Sequence, residues 1–360
     1  MSRSLRQSDC WAFCRAILPD VSRSFALIIP RCPPPINRAL CVAYLLCRLA
    51  DTVEDEPSLI DGQRQTLYDA LLQAVHTPTD AGWAAAFQRA WPKPPADACG
   101  ELVAGAPLVL AAYATLPPDL GRHIQTCVDD MVAGMRAMSP VETRNNITFM
   151  CRDLADLDRY CHIVAGTVGL MSTALFETRF DPAVFTGTPA WREQGRRLGL
   201  GLQMTNIIKD SCADADRGTS FIPAPYTDPA AASHQLSPAG RAELIRHTLG
   251  HLDQGLAYVR AVPLTEKGIR TFLLGSLLPA VATLEVAADG TNPRPKINRA
   301  KMGEIFSYVD HHGDDHQALT AWYDQHRRRT LARLSRDKII DMDGPRVQVI
   351  DMARLRRLAR

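Results

Sequence analysis

The chain has 360 residues, 46% hydrophobic but only 6% aromatic, so it can bury a sizeable core in one or two domains and favours helices over strands. Its net charge of +2 gives no case for a nucleic-acid partner. The 10 cysteines include no Cys-x-x-Cys pair, so no zinc or disulfide framework is expected, and most read as small core residues in a reducing cytosol.

Met1-Ser2-Arg3-Ser4-Leu5-Arg6-Gln7 is charged with no apolar run behind it, so no secretory signal is expected. Pro33-Pro34-Pro35 stops any helix arriving from upstream. Ile36 to Glu54 then reads as a helix, with Leu40, Ala43, Tyr44, Cys47 and Ala50 at three- and four-residue spacing. Leu59 to Val75 reads as a second helix. Proline-rich breaks at residues 92–95 and at Pro117-Pro118 bracket one more. The helical period continues over His123 to Met138, Asp153 to Phe176 and Arg192 to Ser211. Gly218 to Pro238, with Pro223, Pro225 and Pro229, is a loop. Pro238 to Val262 and Glu266 to Ala288 are further helices, followed by a loop over 289–295. The longest apolar run, Phe272 to Leu284, is interrupted by Pro279 and closed by Glu285. It suits a helix buried on all sides, or the wall of an apolar tunnel, better than a membrane span. No strand alternation, repeat or linker is evident. The expected architecture is one all-α domain, residues 1–345, with a basic C-terminal tail, 346–360.

Two carboxylate pairs stand out: Asp51-Thr52-Val53-Glu54-Asp55 and Asp210-Ser211-Cys212-Ala213-Asp214. In each, two aspartates four positions apart share a helix face. Arg48 lies on the face of Asp51 and Asp55, with Glu54 beside them. A lone Asp-x-x-x-Asp is usually a solvated face, but here the preceding turns, Ala43 to Cys47, are almost wholly apolar. Acids also sit poorly at a helix C-terminus, and a metal ion would offset that. The second stripe runs Asn206, Asp210, Asp214, with Gln203 upstream and Lys209 and Arg217 flanking, and it too rises from an apolar stretch, Leu198 to Leu202. Carboxylates that hold magnesium, beside cations that neutralise phosphate oxygens, are what a metal-bridged diphosphate requires. One stripe would read as a salt-bridged surface; two favour a metal site. Between them, Gly166 and Gly169 interrupt a helical pattern at a cost of roughly 1 kcal/mol each, which calls for close helix packing or room for a ligand. Tyr160 reads from its residue type as a packed aromatic. His311-His312-Gly313-Asp314-Asp315-His316 could be taken for a hydrolase metal site, but six consecutive residues with a glycine inside read as a solvated loop.

Four ordered motifs resemble those of the squalene and phytoene synthases: Ser22-Arg23-Ser24-Phe25, Arg48 to Asp55, Asp158-Arg159-Tyr160-Cys161-His162, and Gln203 to Asp210. The resemblance covers roughly Val21 to Met302 and looks closer to squalene synthase, of a bacterial type without the C-terminal anchor of the eukaryotic enzymes. It implies an all-α class I isoprenoid synthase fold, with two aspartate-rich helices facing each other across a central apolar cavity. It implies an Mg2+-dependent prenyltransferase of isoprenoid biosynthesis that joins two farnesyl diphosphates to presqualene diphosphate and reduces that with NADPH to squalene. Dehydrosqualene or phytoene synthesis without the reduction, or non-catalytic isoprenoid binding, remain the alternatives.

The resemblance assigns metal ligation to Asp51, Glu54, Asp55, Asn206, Asp210 and Asp214, and the base to Tyr160. Substrate contacts fall to Ser22, Arg23, Phe25, Arg48, Gln203, Asn206, Lys209 and Arg217, with apolar lining from Phe25, Leu46, Leu170, Phe272, Leu277 and Pro279. Pro295 to Lys301 is similar to the basic segment near the NADPH phosphates, giving Lys296, Arg299 and Lys301. Two positions depart from the pattern: Lys209 replaces the usual arginine and loses its bidentate fork, and Ala213 replaces a usual acid. A cytoplasmic monomer that touches membrane peripherally for product release is the implied setting.

Overall fold

The chain adopts the all-α architecture expected. The computed structural model describes residues 7–22, 24–78, 82–92, 96–182, 185, 187–228, 235–336, 340–343 and 346–349. In chain order, α1 (Gln7–Val21) and the single turn α2 (Phe25–Ile28) precede α3 (Ile36–Asp55), α4 (Asp61–His76) and α5 (Gly82–Ala90). Next come α6 (Ala98–Ala104), α7 (Ala106–Tyr113) and α8 (Pro118–Ala137). Then α9 (Leu154–Cys161), a π-helical turn (His162–Gly166) and α10 (Thr167–Glu177) run on without a break. The series closes with α11 (Pro189–Asp216), α12 (Pro238–Ala261), α13 (Lys267–Ala287), α14 (Arg299–His312) and α15 (His316–Arg336).

Two helices, not one, lie between the proline breaks. Pro107 lacks an N–H and would crowd the carbonyl four residues back, so α6 stops at Gly105 and α7 restarts with Pro107 in its first turn. Short strands also form where none was expected. β1 (Glu142–Arg144) and β2 (Ile147–Phe149) make a hairpin closed by Asn145-Asn146, both at positive φ (49° and 63°), as a two-residue turn of this hand requires. β3 (Thr219–Ser220) adds in parallel to β2. β4 (Ile340–Asp343) and β5 (Arg346–Val349) form a second hairpin, so the expected tail begins as a strand; residues 350–360 lie outside the described ones. With three or four residues at most, these strands offer no alternation to read.

By packing, the chain divides into two units: Met1–Met138, His162–Arg196 and Val262–Ser276, and Ser139–Cys161, Arg197–Ala261 and Leu277–Arg360. Each is assembled from three separate stretches, so no linker marks them in the sequence.

In the first unit, α8 buries Leu120, Ile124, Cys127, Val128, Met131, Val132 and Met135 on one face and packs against α3 and α10. The preceding turns of α3 are buried almost all round, Ala39 through Leu46 apart from Tyr44. Each such leucine contributes roughly 1.5–3 kcal/mol of burial. Gly169 of α10 lies so close to α11 that a Cβ there would sit 2.4 Å from the Gly195 carbonyl oxygen. Helix packing is therefore what this glycine serves.

In the second unit, glycines bring α11 and α12 together: a Cβ on Gly201 would meet Leu252 at 2.6 Å, and one on Gly255 would meet Leu198 at 2.8 Å. Asp253 of α12 accepts hydrogen bonds from Tyr323 Oη (2.8 Å) and Arg327 Nε (3.0 Å) of α15. Ile147 and Phe149 of β2 pack on Ala215, fixing the end of α11. α13 is long and apolar enough to cross a membrane, yet 78% of that stretch is buried inside the protein, as expected of a core helix.

Candidate active site

The first acidic stripe closes α3, in the first unit. Arg48 is held from behind: its Nη2 donates to Tyr44 Oη at 3.2 Å, its guanidinium lies over the Tyr44 ring, and Tyr44 Oη donates to the Val21 carbonyl at 3.0 Å. Its Nη1 reaches Asp51 Oδ2 only at 3.8 Å, and its Nε is buried with no protein partner. A cation pinned on one edge and under-used on the other suits an incoming anion. Asp51 and Glu54 are half-buried and Asp55 is exposed. Burial pushes Asp51 up to about 7, against the pull of Arg48 and helped by Asp55, and burial with the charges of Asp51 and Asp55 pushes Glu54 up to about 8. The C-terminus of α3 also has a partner the sequence reading missed. Arg64 of α4 donates Nε to the Val53 carbonyl (3.3 Å) and Nη2 to that of Glu56 (3.2 Å), meeting the negative end of the helix.

Upstream, Ser22 is buried and its Oγ accepts the Phe25 N–H at 3.1 Å, starting α2. Phe25 packs on Tyr44 (ring centroids 5.4 Å) and Phe272 (6.0 Å), and Phe272 meets Phe176 edge-on (5.9 Å). Leu46 is fully buried, whereas Leu170 is 36% exposed. Arg23 lies outside the described residues.

The second stripe lies along α11, in the second unit. Asn206 Oδ1 accepts Lys209 Nζ at 2.8 Å, and the same ammonium lies 3.1 Å from Asp210 Oδ2. Lys209 therefore bridges the two positions, a role open to a point charge as well as to a fork. Asp214 is buried and takes Arg217 Nη2 at 2.5 Å, while the rest of Arg217 reaches into solvent. Gln203 is half-buried one turn earlier. Ala213 is half-buried and brings no oxygen to the face. Leu277 and Pro279 are buried in α13.

Tyr160 is buried in α9, its ring stacked on Phe221 at 4.4 Å and 19°. The π-helical turn that follows, His162–Gly166, inserts one residue into the helical ladder; such turns concentrate at functional sites. Gly134 of α8 makes room for it, since a Cβ there would lie 2.5 Å from Ile163. The two glycines and the β-branched run Ile163-Val164 were the visible signal.

The basic segment follows α13. Lys296 Nζ lies 4.0 Å from Asp210 Oδ1, and Arg294 Nη2 donates to Asp216 Oδ2 at 2.9 Å. Asn298 caps α14 by accepting the Lys301 N–H at 2.8 Å, Arg299 is exposed, and Lys301 Nζ pairs with Glu304 at 3.1 Å. A shallow cleft adjoins it, lined by Ser211, Cys212, Arg241, Asn292 and Pro293 among others. The block 311–316 is not a loop throughout: His311 and His312 end α14 and His316 begins α15.

The donor set fits magnesium. Both stripes offer hard oxygen ligands on one helix face, and in the first the crowded carboxyls repel one another in a way that a divalent ion would relieve. The ammonium and guanidinium groups of Arg294, Lys296, Arg299 and Lys301, gathered at the start of α14, are of the kind that bind phosphate groups.

Comparisons with known proteins point to one family. The sequence profile of the squalene/phytoene synthase family matches residues 18–302. Squalene synthase 1 of Arabidopsis thaliana is 26% identical over 87% of this chain and 74% of its own length. Inactive squalene synthase 2 of the same plant is also 26% identical, over 87% and 73%. A squalene synthase of Solanum lycopersicum is 31% identical over 57% of the chain and 44% of its own length. Among solved structures, the ligand complex of TcSQS superposes with a TM-score of 0.74 at 24% identity, covering 98% of this chain and 96% of that one. A ligand-bound dehydrosqualene synthase gives 0.57 at 17%, over 85% and 97%. The fold is that of these all-α isoprenoid synthases.

Proposed function

Since the chain belongs to the squalene/phytoene synthase family and is an enzyme of prenyltransferase type, we propose that it joins two farnesyl diphosphates head to head to presqualene diphosphate and reduces that with NADPH to squalene. One observation supports the reading: in both stripes a carboxylate stands beside a cation, Arg48 by Asp51 and Lys209 by Asp210, the pairing that a metal-bridged diphosphate calls for.

One diphosphate binds at each stripe. Bound Mg2+ supplies Lewis-acid stabilisation of the departing diphosphate. Asp51, Glu54, Asp55, Asn206, Asp210 and Asp214 hold that ion set in place. Arg48, Lys209 and Arg217 take the remaining phosphate oxygens, and their charge grows in value as the C–O bond breaks. The resulting allylic cation is attacked by the double bond of the second substrate, and as the cyclopropane closes Tyr160 Oη takes the proton lost while passing its own phenolic proton to the released diphosphate. Its ring is already fixed by Phe221. Apolar side chains such as Phe25, Leu46 and Phe272 keep water from quenching the cation. Lys296, Arg299 and Lys301 receive the phosphates of NADPH. The reaction would take place in the cytoplasm on a monomer, with peripheral membrane contact when product leaves.

A second reading, retention of the fold without turnover, draws on Ala213 and on the equal identity to squalene synthase 1 and to inactive squalene synthase 2 of the same plant. The test is incubation with farnesyl diphosphate and Mg2+, with and without NADPH, and mass spectrometry of the products. Squalene formed only with NADPH supports the full reading. Presqualene diphosphate accumulating despite NADPH removes the reductive step. Binding without pyrophosphate release establishes the second reading.

A further inference from the structure

Asp158 of α9 and His247 and His251 of α12 bring three ligand atoms together within the second unit. His247 Nε2 lies 2.8 Å from Asp158 Oδ1, His251 Nε2 lies 3.1 Å from the same oxygen, and the two Nε2 atoms are 3.3 Å apart. As hydrogen bonding this is an uneconomical arrangement. A neutral imidazole has one N–H, and both rings would aim theirs at a single carboxylate oxygen, setting two hydrogens side by side. As ligation it is favourable. Around a tetrahedral ion with bonds of about 2.0–2.1 Å, ligand atoms stand roughly 3.3 Å apart, which the two imidazole nitrogens already match at 3.3 Å and which the 2.8 Å and 3.1 Å edges to Asp158 would reach by a small side-chain movement. His247 and His251 are four residues apart, which puts both rings on one face of α12, the spacing of helix-borne zinc-binding histidine pairs. The rings stand perpendicular at 4.8 Å, so both edges converge on the carboxylate. His251 is buried while Asp158 and His247 are about one-third exposed. The site is thus closed behind and open in front, where a water or another ligand completes four-coordination.

We propose that Asp158, His247 and His251 bind one divalent first-row transition ion, Zn2+ by its chemistry, with no ligand drawn from either acidic stripe. Two imidazoles and one carboxylate suit zinc and its neighbours rather than magnesium, which prefers an all-oxygen set. The ion cross-links α9 to α12 two residues ahead of Tyr160, so it acts on the position of that side chain without touching substrate. Burial pushes the Asp158 carboxyl up, but the hydrogen bonds it accepts from the two histidines outweigh that and hold it below the usual carboxylate range, leaving it an anion.

The experiment is metal binding by the full chain, which needs no turnover and so stands apart from the proposed reaction. Metal-free protein is titrated with Zn2+ in a large excess of Mg2+, which fills the all-oxygen sites, and Co2+ is then used as an optical probe. The expected result is saturable binding of one Zn2+ per chain and a strong visible Co2+ absorption of the tetrahedral type. His247→Gln and Asp158→Asn should each weaken Zn2+ by about tenfold or more and abolish the Co2+ bands. Circular dichroism identifies any variant that fails to fold; the Co2+ spectrum of the unsubstituted chain decides the matter by itself. No saturable Zn2+, a weak octahedral Co2+ spectrum, or equal affinity in a folded His247→Gln variant would overturn the proposal and leave a hydrogen-bonded triad only.

Discussion

Lys296 Nζ lies 4.0 Å from Asp210 Oδ1, so a residue expected to serve NADPH stands beside an acid expected to serve the prenyl substrate. With Arg294 on Asp216, the basic segment is fastened along the acidic end of α11. The proposed site for the reductant and one proposed site for a diphosphate therefore share a boundary.

Lys296→Ala should thus impair the first condensation and not the reduction alone. Removing one exposed ammonium from a bound phosphate corresponds to about a tenfold rise in KM for farnesyl diphosphate, that is, about 1.4 kcal/mol. Presqualene diphosphate formation in the absence of NADPH is the readout. An unchanged KM there would confine Lys296 to the reductive step.

Asp51→Asn and Asp210→Asn each keep shape and remove a ligand charge. Each should lower pyrophosphate release by about 10²–10³ or more, the scale seen when a principal electrostatic stabiliser of developing charge is removed. Full activity in either variant would remove that stripe from the chemistry.

The raised carboxyls of α3 give the metal-free chain a distinctive pH response. A carboxyl whose folded value lies above its unfolded value of about 4 leaves stability intact below that pH and lowers it as pH rises through the folded values, about 7 for Asp51 and about 8 for Glu54. The thermal midpoint without metal should therefore fall between pH 5 and pH 8. Mg2+ should restore more at pH 8 than at pH 5, because only ionised carboxyls bind it. Asp51→Asn should flatten the metal-free slope; an identical slope would locate the effect elsewhere.

Two glycine substitutions should act with opposite sign. Gly169→Ala forces a methyl to within 2.4 Å of the Gly195 carbonyl oxygen, and backbone cannot step aside cheaply, so a loss of about 1–3 kcal/mol is expected. Gly62, in the first turn of α4, has nothing within 4 Å of an added Cβ, and Gly62→Ala should gain about 0.4–1 kcal/mol by restricting the unfolded chain. Denaturant midpoints measure both.

Much of this was readable from residue order. The three prolines ahead of Ile36 and the apolar spacing behind it placed α3 to within a residue at its C-terminus. The two acidic stripes sat on the helices expected. What escaped depends on partners distant in sequence or on backbone detail that periodicity does not encode. Arg64 looked like any exposed arginine until α4 folded back on the end of α3. His247 and His251 give no local signal because their carboxylate partner is some ninety residues away. Pro107 and the Asn145-Asn146 pair were readable signals, outweighed by the helical period around them.

The π-helical turn sets the phase of everything wound after it. At 3.6 residues per turn, drawing these same residues into an ordinary α turn would rotate α10 by about 100° about its own axis, because the wide turn takes up one residue that an α turn does not. The bare backbone of Gly169 would swing away from Gly195, and a bulkier neighbour would be driven into the gap. A single surplus residue, held in a wide turn, thus acts as the key that indexes this helix.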